Sequence, residues 1–397
     1  MRDATAPLSA SNASNPSHYI GLMSGTSLDG VDGVLIRMEG NNKTDNKTHS
    51  KPTLLARSSR NIPVDLRDEL LALNTPTDNE LERAALASQA LVGLYAQTVE
   101  QLLQSANLSP DQIAAIGAHG QTVRHRPELG YTIQLNAPAL LAETTGIDVI
   151  ADFRSRDVAC GGQGAPLVPI FHQALFASEQ TRIILNLGGI GNVTLLQPGW
   201  PVTGFDTGPA NLLMDAWCHR HTDQPYDSEG AWGAMGQVQP ALLDWILRSE
   251  PWFDAPAPKS TGRDQFNLPW LESRLSQFIQ RRVQQGIQEN LAPIDVQATL
   301  QALTVRTITH ALTQEGVANG AIFVCGGGAK NTALLEKLQA EWAGQVETTD
   351  SLGVPVQDVE AMAFAWLAWA HQTKNTGNLP EVTGARGARI LGACWPA

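Results

Sequence analysis

Asp206 is the first residue whose type and setting suit catalysis. It stands in GFDTGPAN, just after a short apolar strand over residues 202–205 and just before a helix expected to begin near Asn211. Pro209 sits naturally ahead of that helix's first turn. Gly204 and Gly208 clear space for a ligand around the carboxylate. An aspartate at such a junction suits a general base, and it suits a helix cap equally well. Glu360, in VPVQDVEAMAFAW, is a second carboxylate at the edge of an otherwise apolar stretch. It either meets a ligand or simply places negative charge in the first turn of a helix over 360–370. Asp358 reads more simply as the cap of that helix.

A second kind of chemistry is written in residues 19–37, YIGLMSGTSLDGVDGVLIR. An apolar entry meets a turn of small and acidic residues, and the chain leaves as another apolar strand. The tip runs through Gly25, Thr26, Ser27, Leu28, Asp29, Gly30, Val31 and Asp32. Its backbone N–H groups and hydroxyls suit phosphate oxygens. Asp29 or Asp32 suits the Mg²⁺ that accompanies them. An ordinary glycine-rich hairpin would look the same. Residues 182–196, RIILNLGGIGNVTLL, repeat the design, with Gly188, Gly189 and Asn192 at the tip. A later strand over 321–324 enters CGGGAKN, where Gly326, Gly327 and Gly328 allow a backbone to approach a ligand closely. Two such hairpins, each opening an α/β half, predict an internally duplicated fold with a cleft between the halves.

The remaining elements support these turns. The spacing predicts a helix over 78–106, a buried strand over 113–118 ending in HGQT, a strand over 131–135, a helix over 138–146 and a strand over 147–151. The polar tract 41–52 reads as a long hairpin loop. Residues 1–18 are polar and small and read as a disordered arm. They lack the apolar core of a signal peptide, so a cytoplasmic location is expected. Halves of 19–180, joined by part of a C-terminal helix, and 181–397 follow.

Composition excludes several classes. The 397 residues carry a net charge of -12 with no basic cluster, which argues against a nucleic-acid surface. The four cysteines, 160, 218, 325 and 394, are scattered without a C-x-x-C pair and read as thiols, not as zinc ligands or disulfides. The apolar run 361–370 is too short to span a membrane. PKST at 258–261 lacks the glycines of a P-loop, and GGQG at 161–164 lacks the spacing of a dinucleotide fingerprint.

Two phosphate hairpins followed by a glycine-rich adenosine turn resemble the sugar kinase, actin and chaperone ATPase superfamily. SGTSLDGVD, GAHGQTVRHRP, ADFRSRDVACGGQGAPLVP, LNLGGIGNVT, GFDTGPAN, PKSTGRDQFN, CGGGAKN and TGARGARILG, in that order, resemble the anhydro-N-acetylmuramic acid kinase family from residue 19 to the end. The resemblance implies duplicated actin-like ATPase (ribonuclease H-like) halves with mixed sheets, flanking helices and a central cleft. It implies ATP with Mg²⁺, a small sugar substrate, a homodimer, and Asp206 as the general base, with Glu360 near the sugar or the attacking water. The sugar ends in a lactyl carboxylate, which a guanidinium binds through paired hydrogen bonds. Arg154 or Arg156 is its expected anchor, the alternative being a salt bridge to Asp152 or Asp157. His119, Gln121 and Thr122 are expected to reach the sugar's hydroxyls or N-acetyl group, although a histidine at a strand end is often structural. One departure stands out: Ala210 occupies a place where the family pattern has glycine, which matters if that position needs a positive φ.

Overall fold

The computed structural model describes residues 17–25, 28–38, 51–287 and 291–397. In the first half the strands are β1 (Ser17–Ser24), β2 (Gly30–Met38), β3 (Pro52–Asn61), β4 (Ile113–Ala118), β5 (Gln121–Arg126), β6 (Tyr131–Leu135) and β7 (Val149–Ala151). The second half adds β8 (Arg182–Leu187), β9 (Ile190–Leu196), β10 (Thr203–Pro209), β11 (Ala321–Cys325) and β12 (Val346–Thr348), and the chain closes with β13 (Ala393–Trp395).

The two main sheets share one plan. In the first, β1, β2 and β3 form an antiparallel meander, and β4 and β7 extend the other edge of β1 in parallel. In the second, β8, β9 and β10 form the meander while β11 and β12 extend β8 in parallel. This is the duplicated α/β architecture expected from the two hairpins. β13 returns to pair antiparallel with β7. Three consecutive fully buried residues of β8, Ile183 to Leu185, mark a strand covered on both faces.

The helices Val168–Phe176 and Val359–Gln372 lie between the sheets. Their apolar residues share one core with Tyr19, Val34 and Ile36 of the first sheet and with Ile184, Leu196 and Phe323 of the second. The Val359–Gln372 helix sits directly on β1 and β4 because Gly21 and Gly117, partners in the parallel register, leave no side chain in its way. A Cβ on Gly21 would stand 1.9 Å from the Ala361 carbonyl oxygen, and one on Gly117 2.0 Å from that of Phe364. This seat fixes where the first turn of the helix, and therefore Glu360, enters the cleft.

Some elements were not anticipated. HGQT is a turn only at Gly120, which has φ 76°; Gln121 and Thr122 already belong to β5. The helices Pro240–Ser249, Leu268–Gln284 and Pro293–Gln314 build the core of the second half. Ala210 has φ -114°, so the positive φ that would call for glycine is not present there. Thr26, Ser27, the arm before Ser17 and residues 39–50 of the polar tract lie outside the described residues.

Candidate active site

Directly opposed residues on neighbouring strands place their side chains on one face of a sheet. Asp206 opposes Asn192, Asn192 opposes Asn186, and Asn186 pairs with Cys325, so a polar row crosses the second sheet. The β9–β10 register shifts between Asp206 and Gly208, and such a bulge re-aims side chains. Thr207, the extra residue, is buried and donates from Oγ1 to the Gly191 carbonyl at 3.1 Å.

The Asp206 carboxylate is held by one oxygen. Oδ2 accepts from Ser260 Oγ at 3.0 Å and from the Thr261 backbone N–H at 2.9 Å. Among the described residues Oδ1 receives no hydrogen bond. Burial raises the Asp206 pKa, and the bonds from Thr261 and Ser260 only partly offset it. The result is a more basic carboxylate with one free oxygen, which is what a general base requires. The helix-cap alternative does not hold, because no side chain caps the Asn211–Thr222 helix. PKST, rejected as a P-loop, turns out to be the segment that holds this carboxylate. Lys259 is buried, donates to the Phe253 carbonyl at 2.8 Å and lies over Trp252, while its own carbonyl accepts from the Asp206 N–H. A contact between residues 54 apart had no local signal in the sequence.

The glycine turns of the second half converge beside this row. The carbonyls of Gly188 and Gly189 accept from the N–H groups of Asn211, Ala210 and Leu212, fastening the turn to the next helix. A Cβ on Gly326 would lie 2.3 Å from Asn186 Oδ1, and one on Gly328 2.6 Å from Leu187 Cβ. Gly327 faces Asn211. Gly326 adopts φ 81°, a conformation suited to glycine. Asn186 and Asn211, whose Nδ2 donates to the Leu187 carbonyl at 3.1 Å, join the site without having been anticipated.

From the first half comes the hairpin between β1 and β2. Leu28 buries its side chain in the core at φ 58°, pinning the tip, and Val31 is likewise buried, so neither side chain is open to the cleft. Gly30 presses against the Arg60 carbonyl of β3. Asp29 is exposed and Asp32 half-buried. Asp32 has its pKa raised by burial and by Asp29, against a Ser59 hydrogen bond and Lys330 across the cleft. Asp215, on the Asn211–Thr222 helix, is pushed up to about 7 by burial and by the charges of Asp29 and Asp227. The hairpin tip of one half therefore faces a helix of the other over a carboxylate-rich gap. Among the described residues no three histidine, cysteine or acidic side chains converge to hold a metal by themselves.

The opposite wall is built around Arg154. It is half-buried in the turn before the short helix Ser155–Ala159, whereas Arg156 is exposed on that helix. Arg154 donates from Nη2 and Nε to His119 Nε2 at 2.8 and 3.3 Å, and from Nη1 to the Gly164 carbonyl at 2.8 Å. Among the described residues no carboxylate is close enough to form an ion pair with it, although Glu360 and Asp157 act on it through their charge. Burial lowers its pKa to about 10, which keeps it cationic at neutral pH. The same burial, with the Arg154 charge, drops His119 to about 3, so the ring is neutral and accepts at Nε2. His119 also packs on Phe364, one turn along from Glu360. Burial raises the Glu360 pKa, Arg154 lowers it, and Asp32 raises it further. His119, Arg154, Glu360 and Asp32 are thus brought together. Gln121 is buried on β5 with its Oε1 unpartnered, and Thr122 accepts from Gln134 at 3.3 Å.

The sequence model of the anhydro-N-acetylmuramic acid kinase family matches residues 17–397. The anhydro-N-acetylmuramic acid kinase of Bordetella parapertussis is 59% identical over 379 residues, covering 96% of each chain. That of Burkholderia orbicola is 53% identical over 385 residues, covering 95% of this chain and 96% of its own. Among solved structures, a ROK hexokinase from Thermus thermophilus aligns over 89% of this chain and 99% of its own, at 13% identity and a TM-score of 0.33, too distant to bear on function. With its family matched from the first described strand to the last residue, the chain belongs to the anhydro-N-acetylmuramic acid kinases.

Proposed function

We propose that this enzyme hydrates and phosphorylates 1,6-anhydro-N-acetylmuramic acid, using ATP, to give N-acetylmuramic acid 6-phosphate and ADP in murein recycling. The observation that carries the reading is the Asp206 carboxylate, tethered through Oδ2, open at Oδ1 and raised in basicity by burial. Asp206 takes a proton from water as the water oxygen attacks the anomeric carbon. The bond from that carbon to O6 breaks, and O6 accepts the γ-phosphoryl group as ADP departs. The phosphorus acts as the electrophile that captures O6, so no separate general acid is needed, and the anomeric centre inverts.

The other residues take positions around this step. Two N–H groups of Arg154, one on each Nη, remain after its bonds to His119 and Gly164, and they form the end-on fork that a lactyl carboxylate fits. Arg156, exposed, is the weaker candidate. Glu360 contacts the sugar or the attacking water, and His119, Gln121 and Thr122 line the sugar side. The hairpin tip Gly25–Asp32 and the Gly188, Gly189 and Asn192 turn hold the phosphates, while Gly326, Gly327 and Gly328 lie beside the adenosine. The repulsion among Asp29, Asp32 and Asp215 suits a cation, and Asp29 would hold Mg²⁺ together with ATP's own phosphates. When bound, Mg²⁺ neutralises charge on the β- and γ-phosphates. A cytoplasmic location and a homodimer complete the proposal on family grounds.

The test is the product formed from Mg²⁺-ATP and the anhydro sugar in ¹⁸O-labelled water. One phosphoryl group and one labelled oxygen are expected in the product. A phosphorylated but unlabelled or still bridged sugar would overturn coupled ring opening in favour of plain phosphorylation.

A further inference from the structure

The GGQG loop at 161–164 lacks the spacing of a dinucleotide fingerprint, yet its backbone is closely packed, with added Cβ atoms on Gly161, Gly162 and Gly164 falling 2.8, 2.2 and 2.7 Å from neighbouring atoms. Its centre is Asp157, a carboxylate with no exposed surface. Oδ2 accepts from the Gly164 N–H at 2.8 Å, and Oδ1 accepts from Asn378 Nδ2 at 2.6 Å and Thr383 Oγ1 at 2.8 Å. A Cβ on Gly162 would lie 2.2 Å from Oδ2, so only glycine lets the loop wrap the carboxylate. Gln163 N–H donates to the Thr383 carbonyl at 2.7 Å, closing the loop onto the C-terminal segment. All three partners of the Asp157 carboxylate, one backbone N–H and two side chains, are donors. The site suits a carboxylate, which only accepts, and an amide would turn an NH₂ toward one of them.

Gly164 is shared. Its N–H, in the peptide from Gln163, donates to Asp157 at 2.8 Å, and its carbonyl, in the next peptide, accepts from Arg154 Nη1 at 2.8 Å. Among the described residues Arg154 has two hydrogen-bond partners, His119 Nε2 and this carbonyl, and together they set the plane and direction of the guanidinium. Turning the backbone at Gly164 therefore turns the end of Arg154 that faces the cleft. We infer that Asp157 is a positioning residue for substrate selectivity: acting through the backbone of Gly164, it orients Arg154 to receive the sugar's carboxylate. This rests on Arg154 being the carboxylate anchor. It assigns to the C-terminal residues Asn378 and Thr383, remote in sequence, a part in choosing the substrate.

The experiment compares binding of 1,6-anhydro-N-acetylmuramic acid with that of the same anhydro sugar lacking the lactyl group, by calorimetry on the full chain. The ratio of the two affinities isolates recognition of the carboxylate. Arg154→Lys should collapse that ratio. Asp157→Asn should lower it by about fivefold to tenfold while leaving affinity for the lactyl-free sugar unchanged, and the double variant should fall no further than Arg154→Lys alone. Thr383→Val removes one of the three bonds, and is the variant to use if Asp157→Asn does not fold; it should lower the ratio by about twofold. If Arg154→Lys collapses the ratio but the Asp157 and Thr383 variants weaken both sugars equally, or neither, Asp157 is structural only and the inference fails while the anchor stands. If Arg154→Lys leaves the ratio intact, the anchor is wrong and the inference falls with it.

Discussion

Asp206 and Arg154 show how much of this site depends on a single side chain's surroundings. Replacing Asp206 with asparagine keeps the Ser260 and Thr261 contacts within reach but removes the base. Turnover should fall by about 10²–10⁴-fold with ATP affinity retained. Loss of ATP affinity instead would make Asp206 a nucleotide or metal ligand. The pH profile is a sharper probe. A base whose pKa is raised must lose its proton before it works, so the acidic limb of kcat should lie above the ordinary aspartate value of 3.8. The Ser260 bond favours the charged form. Ser260→Ala should therefore move that limb to higher pH, by roughly half a unit; a limb that stays put or moves down would remove Ser260 from the base's environment. On the sugar side, Arg154→Lys exchanges a planar fork for a point charge. It should raise the sugar's KM by roughly 10- to 100-fold with little change in the KM for ATP, whereas Arg156→Lys should be close to silent.

At the scale of elements, the Val359–Gln372 helix decides whether Glu360 reaches the cleft. Its seat on β1 and β4 exists only because Gly21 and Gly117 lack side chains. Both obstacles to a methyl group are main-chain carbonyls, which cannot swing aside as a side chain would. Gly117→Ala should destabilise the protein by about 1–3 kcal/mol or more, seen as a lowered thermal midpoint. A variant with an unchanged midpoint would mean that the helix is less tightly seated than the contact requires. This arrangement was partly legible beforehand. The apolar run 361–370 announced a buried helix, but nothing local indicated that it would lie between the two sheets.

For the whole molecule, the two halves meet over a gap lined with carboxylates. Asp215 belongs to one half and Asp29 to the other, and the Asp29 charge disfavours ionisation of Asp215. A carboxyl whose folded pKa is raised is bound to its proton more tightly in the native state. Its contribution to stability is fully present below the unfolded value near 3.8 and is lost as pH rises toward about 7. Asp215→Asn should accordingly be more stable than the parent at pH 8 by on the order of 1–2 kcal/mol after solvent screening, with the gap closing by about pH 4. Chemical denaturation of the nucleotide-free protein at the two pH values checks this; a difference independent of pH would detach Asp215 from the electrostatics of the gap.

The sequence by itself determined the strands, the turns and the residue types at their ends. Strong apolar runs bounded by glycine report local backbone preference, so the two hairpins, the CGGGAKN turn and the duplicated plan could be seen directly; Asp206, expected just past a strand over 202–205, lies instead inside β10. Tertiary structure alone decided what surrounds those residues. Ser260 and Thr261 reach Asp206 across 54 and 55 positions of chain, Phe364 reaches His119 across more than half its length, and β13 returns from the C-terminus to pair with β7. Likewise, Arg154 and Arg156 are indistinguishable as letters, and only burial separates them. Hydrophobic periodicity records which face of an element is buried. It carries no information on which distant element buries it, and the pKa and hydrogen bonding of a catalytic side chain are set by that neighbour.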